Sequence, residues 1–217
     1  MARVALVTGG VGELGTAVAR SFGEAGYDVH VTSVHPVEAK TAPNAAHVHV
    51  VDLLDLDATR KLAETFEDVH ALALCAGGFS MAPLAALRAS DVDDMLGKNF
   101  KTAVYAIAAF APKLASGSSV VLVGSQAYEG AAGMAPYAAS KAAVVSLARS
   151  AAAELKSRSV TVNAILPDVI DTPANRRAMP NADASRWAKP EEVALVISWL
   201  CSSAARIVSG NAIRVGR

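Results

Sequence analysis

Cysteine is scarce in this sequence: Cys75 and Cys201 are the only two among 217 residues. Two cysteines in unlike contexts cannot make a disulfide framework, so both read as buried free thiols of a reducing compartment. Neither sign of charge is in excess, because twenty Lys and Arg balance twenty Asp and Glu. Proteins that work by gripping nucleic acid carry a basic surplus, so that class is set aside. Charge near zero also gives little global repulsion against self-association. Long apolar runs are missing as well. A stretch such as Ala103 to Ala111 is about half a membrane span, so no membrane partner is expected. There is no internal repeat and no low-complexity linker. Met1-Ala2-Arg3 leads straight into a strand-like segment, so no secretory leader is expected and the cytoplasm is the expected compartment. What the chain does have is apolar residues: 53% are hydrophobic and 18% charged. That suffices for one substantial core in a single domain spanning 1–217.

Two periodicities alternate along the chain. Short apolar strands are expected at Val4 to Val7, Asp28 to Ser33, Val48 to Val51, Val69 to Cys75, Val120 to Val123, Val160 to Leu166 and Ala212 to Val215. Helices are expected at Leu14 to Glu24, Ala58 to Phe66, Asp91 to Leu114 with Ser90 as N-cap, Ala135 to Lys156, and Glu191 to Cys201 with Pro190 near its first turn. Short, continuously apolar strands separated by helices pair in parallel with both faces covered. The expected fold class is therefore α/β, a doubly wound parallel sheet with helices on both faces. Ligands of such sheets bind at the carboxyl ends of the strands. Two connections stand out: Pro36 to Ala46, and a longer, charged, proline-containing loop at 171–189 that is a candidate substrate loop.

The first strand–turn–helix reads Thr8-Gly9-Gly10-Val11-Gly12-Glu13-Leu14-Gly15. Glycines there let the backbone turn tightly and approach a pyrophosphate, whose charge sits at the following helix N-terminus. Further on, Tyr137 and Lys141 stand four apart at the opening of a helix, so phenol and ammonium share one face. A nearby cation favours phenolate and lowers the tyrosine pKa from about 10, which would make it a usable general acid near neutrality. Ser125 follows the strand Val120 to Val123 and is placed to hydrogen-bond a carbonyl oxygen that the tyrosine protonates.

These motifs resemble those of the short-chain dehydrogenase/reductase family, from about Arg3 to Val215. They occur in family order: the glycine-rich turn, Asp52 after the third strand, Cys75-Ala76-Gly77, Asn99, Ser125, Tyr137 with Lys141, and Pro167 to Thr172. The resemblance implies an oxidoreductase that uses NADP(H) or NAD(H) on a small carbonyl or alcohol substrate. It implies Tyr137 as proton donor or acceptor and Lys141 as the group that holds the nicotinamide ribose and lowers the tyrosine pKa. Ser125 would orient the substrate oxygen, and Asn99 would support a water-mediated proton relay. Gly9, Gly12, Leu14, Gly15, Ser33, Asp52, Leu53, Ala76, Gly77, Pro167, Ile170 and Thr172 would contact the cofactor together with Tyr137 and Lys141, with Asp52 at the adenine. Within the family, the stretch Asp171 to Asp183 with Ser185 and Trp187 is similar to the dihydropteridine reductase-like branch, which implies a pterin-like substrate and a dimer. Ser125 departs from that branch, where alanine stands, and suits carbonyl–alcohol chemistry.

Other departures bear on the cofactor. Glu13 occupies the middle glycine position of the turn, and Asp168 replaces the glycine after Pro167. Both motivate a non-enzyme alternative, a dinucleotide-binding sensor or scaffold. Ser33 ends the second strand where NAD-preferring members place an acid, which favours NADP(H). In the family, helices like the Ala- and Val-rich ones carrying Asn99 and Tyr137 pack against a second subunit, so the resemblance implies a homodimer or homotetramer. The remaining candidates carry bland readings too. His47 and His49 share a strand face but have no third ligand in sight, so no metal is expected. Arg176 and Arg177 read either as a clamp for an acidic substrate or as a solvated or intersubunit pair. Trp187 reads as pocket lining or as a pin for the loop, Trp199 as core, and Tyr128 as structural.

Overall fold

The computed structural model describes residues 2–36 and 47–216. Residues 37–46 of the expected polar connection, and the chain ends Met1 and Arg217, lie outside the described residues. Seven strands form one parallel sheet: β1 (Arg3–Thr8), β2 (Tyr27–Ser33), β3 (His47–Val50), β4 (Val69–Leu74), β5 (Leu114–Val123), β6 (Thr161–Pro167) and β7 (Ala212–Val215). The order across the sheet is β3-β2-β1-β4-β5-β6-β7. The winding direction reverses between β1 and β4, which opens a crevice at their carboxyl ends.

Alternation along each strand divides the core in two. Leu6, Leu72, Leu74, Val120 and Leu122 point to one face, which is covered by α2 (Leu56–Glu64), α4 (Thr102–Phe110) and α5 (Ala135–Leu155). Ala5, Ala71, Ala73 and Val121 point to the other, under α1 (Glu13–Glu24) and α7 (Pro190–Leu200). Fully buried Phe22 and Ile197 fill the second face, and Phe110 and Leu114 the first. A buried side chain of this size contributes about 1.5–3 kcal/mol.

The long helix expected over Asp91 to Leu114 is corrected in three places. It starts two residues earlier, as α3 (Ala89–Met95), with Arg88 rather than Ser90 at the cap; the Arg88 N–H donates to the Asp91 carboxylate at 2.9 Å. A π-helical turn, Leu96–Lys101, separates α3 from α4. Helix α4 ends at Phe110 because Pro112 cannot donate the next helical bond, and β5 already begins at Leu114. Trp199, expected in the core, is 46% exposed: Val193, Ile197 and Leu200 turn α7 toward the sheet and leave Trp199 and Leu195 on its outer side.

Candidate active site

The turn after β1 is shaped by contacts that admit no side chain. Gly9 adopts φ +63°, and a Cβ there would lie 2.9 Å from the Ala76 Cα. A Cβ on Gly15 would lie 2.2 Å from the Gly9 carbonyl oxygen. Gly12 caps α1 without any side-chain hydrogen bond to the first turn, so the helix opens on bare backbone donors. Leu14 is half-buried against the core, and Glu13 is exposed in that first turn. The Ala76 N–H donates to Thr8 Oγ1 at 3.2 Å, which ties the β4 loop to β1 across the switch point.

Two clefts lie at the carboxyl ends of the strands. The first, of about 410 Å³, is lined by Gly9, Ser33, Asp52, Leu53, Ala76 and Gly77 among others. Asp52 turns one carboxylate oxygen back to the Leu54 N–H at 2.9 Å, and Ser33 donates to the His35 carbonyl at 3.0 Å. The described lining also includes His35 and Lys98; Asp52 is its one carboxylate. A glycine-shaped turn, an uncapped helix N-terminus and this adjoining cleft fit a dinucleotide.

The second cleft, of about 230 Å³, brings together Ser125, Tyr137, Lys141, Pro167 and Ile170. Ser125 lies two residues past the end of β5 in extended conformation, and its Oγ accepts from the Ala127 N–H at 3.2 Å, leaving the hydroxyl proton to donate elsewhere. Tyr137 sits in the first turn of α5, its ring edge-on to Phe79 at 4.9 Å. Lys141, one turn on, is buried and donates to the Val123 carbonyl at 2.8 Å, with Nζ 5.7 Å from the Tyr137 ring centre.

Asn99 and Thr172 line neither cleft; each acts on the backbone around them. Asn99 lies in the π-helical turn, where its Oδ1 accepts from the Gly78 N–H at 2.9 Å. Its Nδ2 donates to the Gly78 carbonyl at 3.1 Å and to Ser140 Oγ at 3.0 Å. The side chain therefore clamps the β4 loop to α5. Gly77 faces this clamp, since a Cβ there would lie 2.7 Å from Asn99 Oδ1 and 3.7 Å from Lys141 Nζ. Thr172 accepts from the Asn175 N–H at 3.2 Å and so caps the short helix α6 (Pro173–Ala178).

The titration behaviour corrects one expectation. Lys141 does not pull the Tyr137 pKa down in this structure. Burial of the phenol raises it above 10.0, and the Ser125 hydroxyl offsets part of that rise. Burial pushes Lys141 down to about 8. Because that lies below the ordinary 10.5, the unfolded chain binds more protons between those values and stability rises with pH across that window. Below pH 8 the full cost of the buried charge is present. Lys141→Met removes that cost at the loss of one hydrogen bond, a net gain of about 2 kcal/mol at pH 7. The expected melting temperature rises by ~4–8 °C at pH 7, with a smaller gain at pH 10. An unchanged or lower melting temperature at pH 7 contradicts this reading.

The loop 171–189 folds on itself. Arg176 pairs bidentately with Asp171 at 2.6 and 2.7 Å, so of its two readings the substrate clamp is the one disfavoured, its guanidinium fork being already engaged. Trp187 is buried and outside the cleft lining, hence the pin rather than the wall. Tyr128 donates to the Glu129 carboxylate at 3.0 Å, a structural role. Cys75 and Cys201 are both held at about 12 by burial, far from reactive thiolate. Phe79, Met134, Asn175 and Met179 also line the catalytic cleft and were not singled out in the sequence. Phe79 follows the Gly77-Gly78 turn and Met134 stands three before Tyr137, so proximity to known motifs was the available signal. The expectation that His47 and His49 lack a third partner is corrected as well, because β2 supplies Asp28 and His30 beside them.

This fold and site define an oxidoreductase class built on a doubly wound dinucleotide-binding sheet. The family model for short chain dehydrogenases matches residues 3–183, and the chain belongs to that family. It is 31% identical to the 3-oxoacyl-[acyl-carrier-protein] reductase MabA of Mycobacterium bovis, covering 99% of this chain and 92% of that protein. It is 29% identical to a cyclic-di-GMP-binding biofilm dispersal mediator protein of Escherichia coli, covering 96% and 93%. Among solved structures, a blue fluorescent protein from a metagenomic library in complex with NADPH superposes with TM-score 0.88 at 25% identity, covering 98% of this chain and 96% of the other. Among the described residues, no helix is long and apolar enough to cross a membrane.

Proposed function

We propose that the protein is an NADP(H)-dependent reductase of small, largely apolar ketones, working reversibly on the corresponding alcohols. The observation that carries this reading is the convergence of Ser125, Tyr137 and Lys141 from β5, its following turn and α5 on one cleft walled by Phe79, Met134 and Met179. When bound, the nicotinamide dinucleotide supplies the hydride. The residues supply the rest. Ser125 donates its hydroxyl to the substrate oxygen. Tyr137, protonated at neutral pH, gives that oxygen its proton. Lys141 holds positive charge behind the phenol and faces Gly77 beside the dinucleotide cleft. Asn99 keeps the Gly77-Gly78 backbone in place and, through water, links Lys141 to solvent. Gly9, Gly12, Gly15, Leu14, Ala76 and Gly77 hold the dinucleotide backbone, and Asp52 and Leu53 its adenine. Pro167, Ile170 and Thr172 hold its nicotinamide end.

NADP(H) is favoured over NAD(H) because β2 ends in Ser33, with His35 nearby, where NAD-preferring members of the family place an acid; among the described residues Asp52 is the one carboxylate that lines this cleft. A cytoplasmic homodimer or homotetramer completes the reading, supported by exposed Leu195, Trp199 and Ile207; a monomer by light scattering would contradict it. The test is a fluorescence titration with NADPH and NADH, followed by turnover of ketones and of quinonoid dihydropterin by the wild type and Ser125→Ala. Tighter NADPH binding, with ketone turnover reduced about 10²-fold in the variant, is the expected result. Dihydropterin turnover indifferent to Ser125 would favour the pterin reductase suggested by residues 171–183. Dinucleotide binding with no turnover of any substrate would favour the silent sensor.

A further inference from the structure

At the far end of β2 from the cofactor cleft, four side chains that can ligate metal meet on one sheet face. Asp28 and His30 are two apart on β2, and His47 pairs with His30 across the β2–β3 register. His47 Nε2 lies 3.2 Å from Asp28 Oδ1, and His30 Nε2 lies 3.7 Å from Asp28 Oδ2. One ligand atom from each of the three falls within 4.8 Å of the others. Donors about 2.0–2.1 Å from a tetrahedral zinc ion stand about 3.3 Å apart, so these separations bracket that spacing. We propose that Asp28, His30 and His47 form a site for a divalent transition metal of the zinc class, with a fourth position open to water.

The surroundings match what such sites use. His30 Nδ1 lies 2.9 Å from His49 Nε2, an outer hydrogen bond of the kind that fixes a ligating imidazole's tautomer. If His30 donates in that bond, its Nε2 presents a lone pair toward the Asp28 carboxylate, and acceptors face each other with no donor between them. If His49 donates instead, the His30 Nε2–H points at Asp28 across 3.7 Å, too far for a hydrogen bond. Side chains alone therefore leave the His30–Asp28 gap unbridged in either neutral tautomer, and a cation placed there would bridge it. His30 stacks on His47 at 4.6 Å and on His49 at 5.2 Å, and Phe66 packs edge-on behind it at 4.8 Å. The adjoining cleft, about 420 Å³, is lined by Asp28, His30, Glu67, Asp68 and His70, and among the described residues no lysine or arginine lines it. An ion here would clip the edge strand β3, paired over only four residues, to β2.

The test uses tag-free full-length protein, stripped with chelator and then titrated with Zn²⁺ and Co²⁺ by calorimetry and visible absorption. Expected results are one saturable site per chain, cobalt d–d bands of a low-coordinate N/O set, and a higher melting temperature with Zn²⁺. His47→Ala and Asp28→Asn should each weaken Zn²⁺ binding by at least about tenfold, and His70→Gln should not. His47 is 60% exposed, so its truncation leaves the core intact. Absence of saturable Zn²⁺ binding by the wild type overturns the proposal and leaves a hydrogen-bonded histidine cluster. Wild-type affinity in both variants overturns it too, because the ion then sits elsewhere.

Discussion

Tyr137→Phe is expected to lower the turnover of ketone reduction by about 10²–10⁴-fold, with dinucleotide affinity and melting temperature unchanged. The substitution removes one oxygen and keeps the ring that packs edge-on against Phe79. Ser125, Lys141 and Asp168 share the described lining with it, so the residual turnover of the variant measures what those groups can supply. Cys75 is held at about 12 by burial, and Lys141 already donates to the Val123 carbonyl. The direction of the tyrosine shift adds a pH signature. Because burial holds the phenol above its ordinary pKa, the proton is present throughout the neutral range and reduction has its acid. Alcohol oxidation needs the phenolate, so its rate should climb as pH rises toward the tyrosine pKa. Stopped-flow or steady-state assays in both directions read this. Full reductive activity in Tyr137→Phe, or an oxidation rate flat from pH 7 to pH 10 in the wild type, would sink the assignment.

Gly15→Ala should be the most damaging small substitution outside the catalytic cleft. Its Cβ would sit 2.2 Å from the Gly9 oxygen and 2.8 Å from the Gly10 Cα, both backbone atoms that cannot swing away. Either α1 moves off β1 or the turn opens, and overpacking of that kind costs about 1–3 kcal/mol. The same displacement spoils the cradle, so dinucleotide affinity should fall along with stability. Gly12→Ala is the informative partner. Its Cβ would meet only the Gly9 oxygen, at an ordinary 3.5 Å. That variant should melt like the wild type, and any loss of NADPH binding in it reports direct crowding of the ligand. Differential scanning fluorimetry and a fluorescence titration on the two variants separate the effects. A Gly15→Ala protein with wild-type stability and affinity would show that the turn is looser than its contacts imply.

Much of the site was legible because its signals are local. A glycine turn between an apolar strand and a helix, a serine just past a strand end, and a tyrosine four residues before a lysine each need only their chain neighbours to be recognised. The α/β class followed the same way, from strands apolar on both faces alternating with helical stretches. Residues whose role depends on a distant partner were misread or left open. Arg176 was left open between a substrate clamp and a solvated or intersubunit pair until the fold of the loop set Asp171 against it. Asn99 was assigned a relay by resemblance; its side chain is in addition the clamp that holds Gly78 to α5.

The boundary between the two kinds of knowledge runs along sequence separation. Periodicity, turn chemistry and i,i+4 spacing are properties of a few adjacent residues, so they specified the class of fold, the order of its elements and the Ser125–Tyr137–Lys141 set. Register, burial and solvation belong to the assembled sheet. They alone brought His47 of β3 beside His30 of β2. They turned Trp199 outward. They also raised the tyrosine pKa where spacing had pointed to a fall, because desolvation of the buried phenol outweighs the Ser125 hydrogen bond, while the Lys141 ammonium is engaged with a backbone carbonyl.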